Sequence, residues 1–217
     1  MPNAWMPDAT RVEDTSPQGM FLGGAPRVVW LTTETDPTLS SARNAAHQLT
    51  SRGHSSHLVW NPVTGEIVQP MPVTAAALGQ LDTGAVDRAT EGRVCVIIRV
   101  IGYATSPFTN QPLHGLGSIL TWLDSWEVPR HWPTGSPSAR PLPHRDPQAE
   151  RLWARGGHFG HSQVPNARPS GPGAISTERL LNWLAPRPRE GKRPSPDPVE
   201  ATDADPGTKA EHELAGP

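Results

Sequence analysis

Residues 156–173, Gly-Gly-His-Phe-Gly-His-Ser-Gln-Val-Pro-Asn-Ala-Arg-Pro-Ser-Gly-Pro-Gly, carry the densest set of groups able to do chemistry in this chain. The glycines and prolines are turn formers, and His158 and His161 offer imidazole nitrogens of the kind that transition metals take. A metal-binding loop of this type is expected to supply a carboxylate near its end, where this one has Gly171-Pro172-Gly173. Cys95 is the only cysteine, which excludes an internal disulfide and a thiolate zinc cluster. Its apolar neighbours, Val94, Val96, Ile97 and Ile98, make it a small core residue of a strand rather than a nucleophile. No Gly-x-Ser-x-Gly elbow is present to present a serine nucleophile.

The elements that must position these groups follow from length and pattern. A chain of 217 residues suits one sizeable core, and two domains would each be marginal. The formal net charge of −2 provides no basic field, so neither nucleic acid nor a membrane surface is an expected partner. The first twenty residues hold no basic region followed by an apolar run, which makes cytoplasmic residence the expectation and leaves delivery by lysis or in a particle open. The 26 prolines cluster and so draw boundaries. Residues 186–217 contain no aromatic and almost no large aliphatic side chain, and are expected to form a disordered tail. Residues 129–150 read as a Pro-rich loop inside a domain spanning 27–185, with 1–26 as a lead-in segment.

Within that domain Arg27–Thr32 is a β-branched, aromatic run bounded by turn residues, hence a buried strand. Residues 38–52 place Leu39, Ala42, Ala46 and Leu49 at helical spacing, with Gly53 as the stop. Residues 56–60 and 66–69 flank an Asn-Pro-Val-Thr-Gly turn and read as a hairpin. Residues 93–101 form a central strand whose period of two sets Val94, Val96, Ile98 and Val100 on one face and Cys95, Ile97, Arg99 and Ile101 on the other. Leu113, Leu116, Leu120 and Leu123 make the stripe of the main helix, and Ser176 caps a last helix carrying Leu180, Leu181 and Leu184. The order predicts an α/β fold, a mixed central sheet flanked by helices.

Four stretches in this order resemble the type 2 N-acetylmuramoyl-L-alanine amidases and peptidoglycan recognition proteins, in the variant of high-G+C bacteria (actinobacteria) and their phages. They are Val28-Val29-Trp30-Leu31-Thr32-Thr33-Glu34; Ser55-Ser56-His57-Leu58-Val59 with Gly65-Glu66-Ile67-Val68-Gln69; Val94 to Gly102; and Gly157 to Pro165 ahead of Pro172-Gly173-Ala174-Ile175. The resemblance implies a zinc hydrolase that cuts the amide between the lactyl group of N-acetylmuramic acid and L-alanine. Its zinc is held by two histidines and an Asp or Cys, with a fourth position for water. Carried over residue by residue, it places the first ligand at Leu31, the second at His161, the third at Gly171, the acid-base carboxylate at Arg99 and the oxyanion donor at Pro169. Only His161 keeps a suitable side chain, so loss of zinc and of hydrolysis is expected, and no cofactor.

The former cleft is then expected to be lined by Thr32, Thr33, His57, Arg99, His158 and His161. Three histidines could hold a metal in a new geometry or simply bond loop carbonyls. Arg99 could pair with a ligand carboxylate or internally. The expectation is a degenerate amidase domain that binds a peptidoglycan fragment or a protein partner. An active amidase with displaced zinc ligands, and a structural component of a phage or secreted particle, are the alternatives.

Overall fold

A computed structural model describes residues 1–12, 18–140, 148–168 and 170–183. Among these the elements are β1 (Thr10–Arg11), β2 (Gln18–Gly19), β3 (Arg27–Thr32), α1 (Ala42–Ser51), β4 (Leu58–Trp60), β5 (Ile67–Gln69), β6 (Ala76–Ala77), β7 (Cys95–Val100), α2 (Leu116–Ser125), α3 (Ala149–Ala154), β8 (Gly157–Gly160) and α4 (Thr177–Leu181). The tail expected at 186–217, the oxyanion-donor position Pro169, residues 141–147 of the Pro-rich loop and Leu184 lie outside the described residues.

Six of the strands form a mixed sheet in the order β1-β5-β4-β7-β3-β8. Strands β3 and β7 lie side by side in parallel, and every residue of β3 is buried. Burial on both faces is why both read as continuous apolar runs. The alternation expected for the central strand holds: Val96, Ile98 and Val100 join Trp30 and α2 residues Leu116, Ile119, Leu120 and Leu123 in one core. Cys95 and Ile97 face the other way, packing with Val29, Leu31, Trp153 and Phe159. A third cluster seats Ala42, Ala45 and Ala46 of α1 on Val59, Val68 and Ile101. Trp122 and Trp153 are core residues as well.

Helix α1 begins at its cap. The Ser41 hydroxyl accepts from the Asn44 amide at 3.1 Å, and the Glu66 carboxylate accepts from the Ala42 and Arg43 amides at 2.6 and 3.2 Å. An anion at this end satisfies orphan donors and complements the helix dipole. Leu39, expected on the apolar stripe, precedes the cap and is exposed. Helix α2 likewise starts three residues later than the Leu113 stripe suggests, because Gly115 takes a left-handed conformation against the Gly65 carbonyl. Leu113 is buried all the same.

Two elements of the 149–160 region have no strong sequence signal. Helix α3 closes the Pro-rich stretch, and β8 is the Gly-His-Phe-Gly segment inside the histidine-bearing loop. Gly-His-Phe-Gly contains no β-branched residue, and it becomes a strand by pairing in parallel with β3, Arg27 opposite Gly157 through Trp30 opposite Gly160. Residues of the lead-in segment also join the sheet, through β1 on the outer edge of β5.

Gln69 ties that segment down. Its fully buried side chain accepts from the Met6 amide at 2.6 Å and donates to the Ala4 and Met71 carbonyls, both at 3.0 Å. Gln69→Ala strips three buried bonds and is expected to cost about 2–3 kcal/mol. Urea unfolding reads the loss, and limited proteolysis should open first within residues 1–12.

Candidate functional site

The site is built where β3 and β7 end. Their register sets Leu31 opposite Arg99 and Thr32 opposite Val100, so the positions implied for the first metal ligand and the acid-base group are cross-strand neighbours. Open α/β sheets bind ligands beyond the carboxyl ends of such strands. Leu31 is buried in the apolar cluster of that face. The Arg99 guanidinium donates from Nη2 to Gln80 Oε1 at 2.7 Å, and its buried Nε has no partner. Burial pulls Arg99 down to about 10, which still leaves it charged at neutral pH.

His161 stands on a one-turn 3-10 segment directly after β8. Its Nδ1 lies 2.5 Å from the Ser170 hydroxyl, and the Gln80 main chain lies near the ring. Desolvation and the nearby Arg99 charge push His161 down to about 4, the Gln80 carbonyl opposing in part. Gln80 therefore stands between the two, its main chain beside His161 and its side chain on Arg99.

The other two histidines do not join it. His57, expected in the cleft, is fully buried: Nδ1 accepts from the Ile97 amide at 2.9 Å and Nε2 donates to the Ala75 carbonyl at 2.8 Å. Desolvation holds it near 4. His158 sits opposite Val28 on the face toward α2, stacks on Trp30, and accepts from Trp30 Nε1 at 3.1 Å. Burial first, then the His131 and Arg130 charges, push it down to about 3. Both are core histidines, corrected from cleft residues by their burial and by bonds a ligand would have to break. His54, three residues before His57, faces the groove instead.

Thr32 and Thr33 are tied to the turn that follows β3. Thr32 Oγ1 donates to Glu34 Oε1 at 2.5 Å, the Ala104 amide donates to the same carboxylate oxygen at 3.0 Å, and Thr33 shares a hydrogen bond with Thr35. Thr32 also borders Gly171, where an added Cβ would lie 2.3 Å from its hydroxyl oxygen. Gly173 is confined further, with φ +74° and an added Cβ only 1.8 Å from the Ala104 carbonyl. At His161 and Gln80 opens a cavity of about 650 Å³, lined also by His54, Asp82, Asn166 and Arg168, among others. Asn166 and Arg168 belong to the loop that the histidines made conspicuous. Gln80, His54 and Asp82 carry no local motif that could have marked them.

No protein-family model matches the sequence, and no curated protein matches it. Among solved structures, the Staphylococcus aureus hydrolase AmiA, in complex with its ligand, aligns with a TM-score of 0.51 at 13% identity, covering 81% of this chain and 80% of that one. The endolysin N-acetylmuramoyl-L-alanine amidase LysCS of Clostridium intestinale URNW aligns at 0.47, with 14% identity and 82% and 95% coverage. The drosophila peptidoglycan recognition protein SD aligns at 0.43, with 13% identity and 79% and 88% coverage. The chain has the amidase type 2 fold. The positions that the resemblance implies for zinc are Leu31, His161 and Gly171. Leucine and glycine bring no donor, and Nδ1 of His161 is engaged by Ser170. Among the described residues no three His, Cys, Asp or Glu side chains converge as a metal site. The residues present do not fit zinc.

The buried histidines give the fold a pH signature. His57, His158 and His161 are held near 4, 3 and 4, below the unfolded value of about 6.5. The unfolded chain therefore binds more protons between these limits, so stability is complete above about pH 6.5 and falls as pH drops toward 4. Each histidine contributes up to about 1.4 kcal/mol per pH unit inside the window. Urea midpoints measured between pH 7 and 4.5 are expected to fall steadily, and His57→Gln should flatten the slope.

Proposed function

We propose that this amidase-fold domain binds a muropeptide of peptidoglycan in the groove beside Arg99 and does not hydrolyse it. The observation that carries the reading is the Arg99 guanidinium, buried and bonded to Gln80 at the position the resemblance implies for the acid-base carboxylate. A guanidinium at Arg99 cannot take a proton from water, and it opposes any dication brought near it. Loss of an oxyanion donor alone costs on the order of a hundredfold in rate, and Pro169 has no proton to donate. Binding asks for less. The cavity has the size of a small-ligand site and presents amide, imidazole and guanidinium donors from Asn166, His54 and Arg168. The likeness in fold to peptidoglycan amidases supports the wall as the source of the ligand.

Metal analysis of the purified protein is expected to find zinc far below one ion per chain. Purified sacculi should sediment the protein and release no peptide. Stoichiometric zinc with peptide release would establish an amidase with displaced ligands, and failure to sediment would favour a scaffold role in a particle.

Restoring Leu31→His, Arg99→Glu, Pro169→Lys and Gly171→Asp together is expected to recover zinc poorly, because Thr32 Oγ1 stands where the side chain at 171 must start. Adding Thr32→Ala should raise zinc affinity in a competition titration.

A further inference from the structure

We infer that Arg99 forms the floor of a carboxylate subsite, and that a carboxylate of the muropeptide enters by displacing the Gln80 carboxamide from the guanidinium. This rests on the peptidoglycan reading above and specifies which chemical group of the ligand the groove takes.

Arg99 is a cation without an anion. Among the described residues the ion pairs are made by Arg88, Arg93 and Arg130, and no carboxylate lies within 4.0 Å of Arg99. Two other arginines have a buried, unpartnered Nε, and both are compensated differently: Arg88 pairs with Glu91 and Glu150, and the Arg27 guanidinium lies 4.5 Å from the centre of the Trp153 ring. Arg99 has only a neutral amide oxygen on Nη2, while its Nε has none. A buried guanidinium half-satisfied by an amide oxygen is a receptor for the group that oxygen imitates, since a carboxylate offers two oxygens to two N–H donors at once.

Gln80 is placed to act as that stand-in. Its side chain bonds Arg99, and the same residue lines the cavity. The bond to Arg99 is made by the Gln80 side chain, so exchanging it asks for a side-chain rotation. The field at this end of the cavity is positive. Arg168 lines the same cavity and adds a second guanidinium. Asp82, the carboxylate lining the cavity, accepts from the Gly84 amide at 2.9 Å and is not paired with Arg99. Where an amidase site receives a neutral amide, this one is charged to retain an acid.

The carboxylate can come from the lactyl group of muramic acid or from the peptide stem. Calorimetric titration of the full chain with N-acetylmuramic acid and with its lactyl N-methylamide compares acid and amide on one sugar. A parallel titration uses L-Ala-γ-D-Glu. The acid is expected to bind at least tenfold tighter than the amide; a response to the peptide alone assigns the stem instead, and either sustains the subsite. Equal affinity for acid and amide with no response to the peptide overturns it. Arg99→Met should abolish the preference with the thermal midpoint retained. Gln80→Ala, which removes the competing carboxamide, should strengthen acid binding severalfold, and unchanged or weaker binding counts against the subsite. Sedimentation with sacculi reports separately: wall binding without acid preference leaves the proposed function standing and sinks the subsite, and acid preference without wall binding does the reverse.

Discussion

Strands β3 and β7 are buried on both faces, so their main-chain amides and carbonyls have no access to water and must bond to each other and to the flanking strands β8 and β4. That requirement fixes the parallel register, and the register fixes the site. Leu31 and Arg99 become neighbours, Thr32 faces the close approach of Gly171, and β8 delivers His161 to the same end of the sheet. The tryptophan core on the opposite face, with Trp30 against Trp60 and Phe108, holds β3 in place from below. Slipping the pairing by one residue would turn Leu31 and Arg99 to opposite sides.

Given that frame, Gln80 sets the electrostatics. Its side chain bonds Arg99 and its main chain lies beside His161, a neutral residue between an imidazole and a guanidinium. Desolvation makes the arrangement consequential, because an incompletely satisfied cation loses more by burial than an exposed one.

The histidines show how chemistry-bearing residues divide between site and core. His158 and His161 are three residues apart, yet they face opposite sides of the sheet, since His158 lies in β8 and His161 in the turn after it. His57 bonds the main chain of Ile97 and Ala75 with both ring nitrogens, which makes it part of the sheet edge. Residue type therefore marked three candidates, and backbone path selected one.

Much of the fold was legible in the chain itself. Arg27–Thr32, the hairpin and the central strand declared themselves through apolar runs and turn residues, and the alternation along 94–101 assigned Arg99 to the correct face, because side-chain direction in a strand is dictated by local geometry. The absence of donor side chains at Leu31 and Gly171 is likewise a matter of residue identity alone. Strand β8, helix α3 and the seating of β1 were not legible, since each is stabilised by partners far away in sequence. Only the tertiary structure decided that Gln80 bonds Arg99 beside His161, that His54 replaces His57 at the groove, and that Thr32 fills the space beside Gly171. Each of those outcomes is a long-range contact, which local pattern cannot encode because it depends on where other segments come to rest.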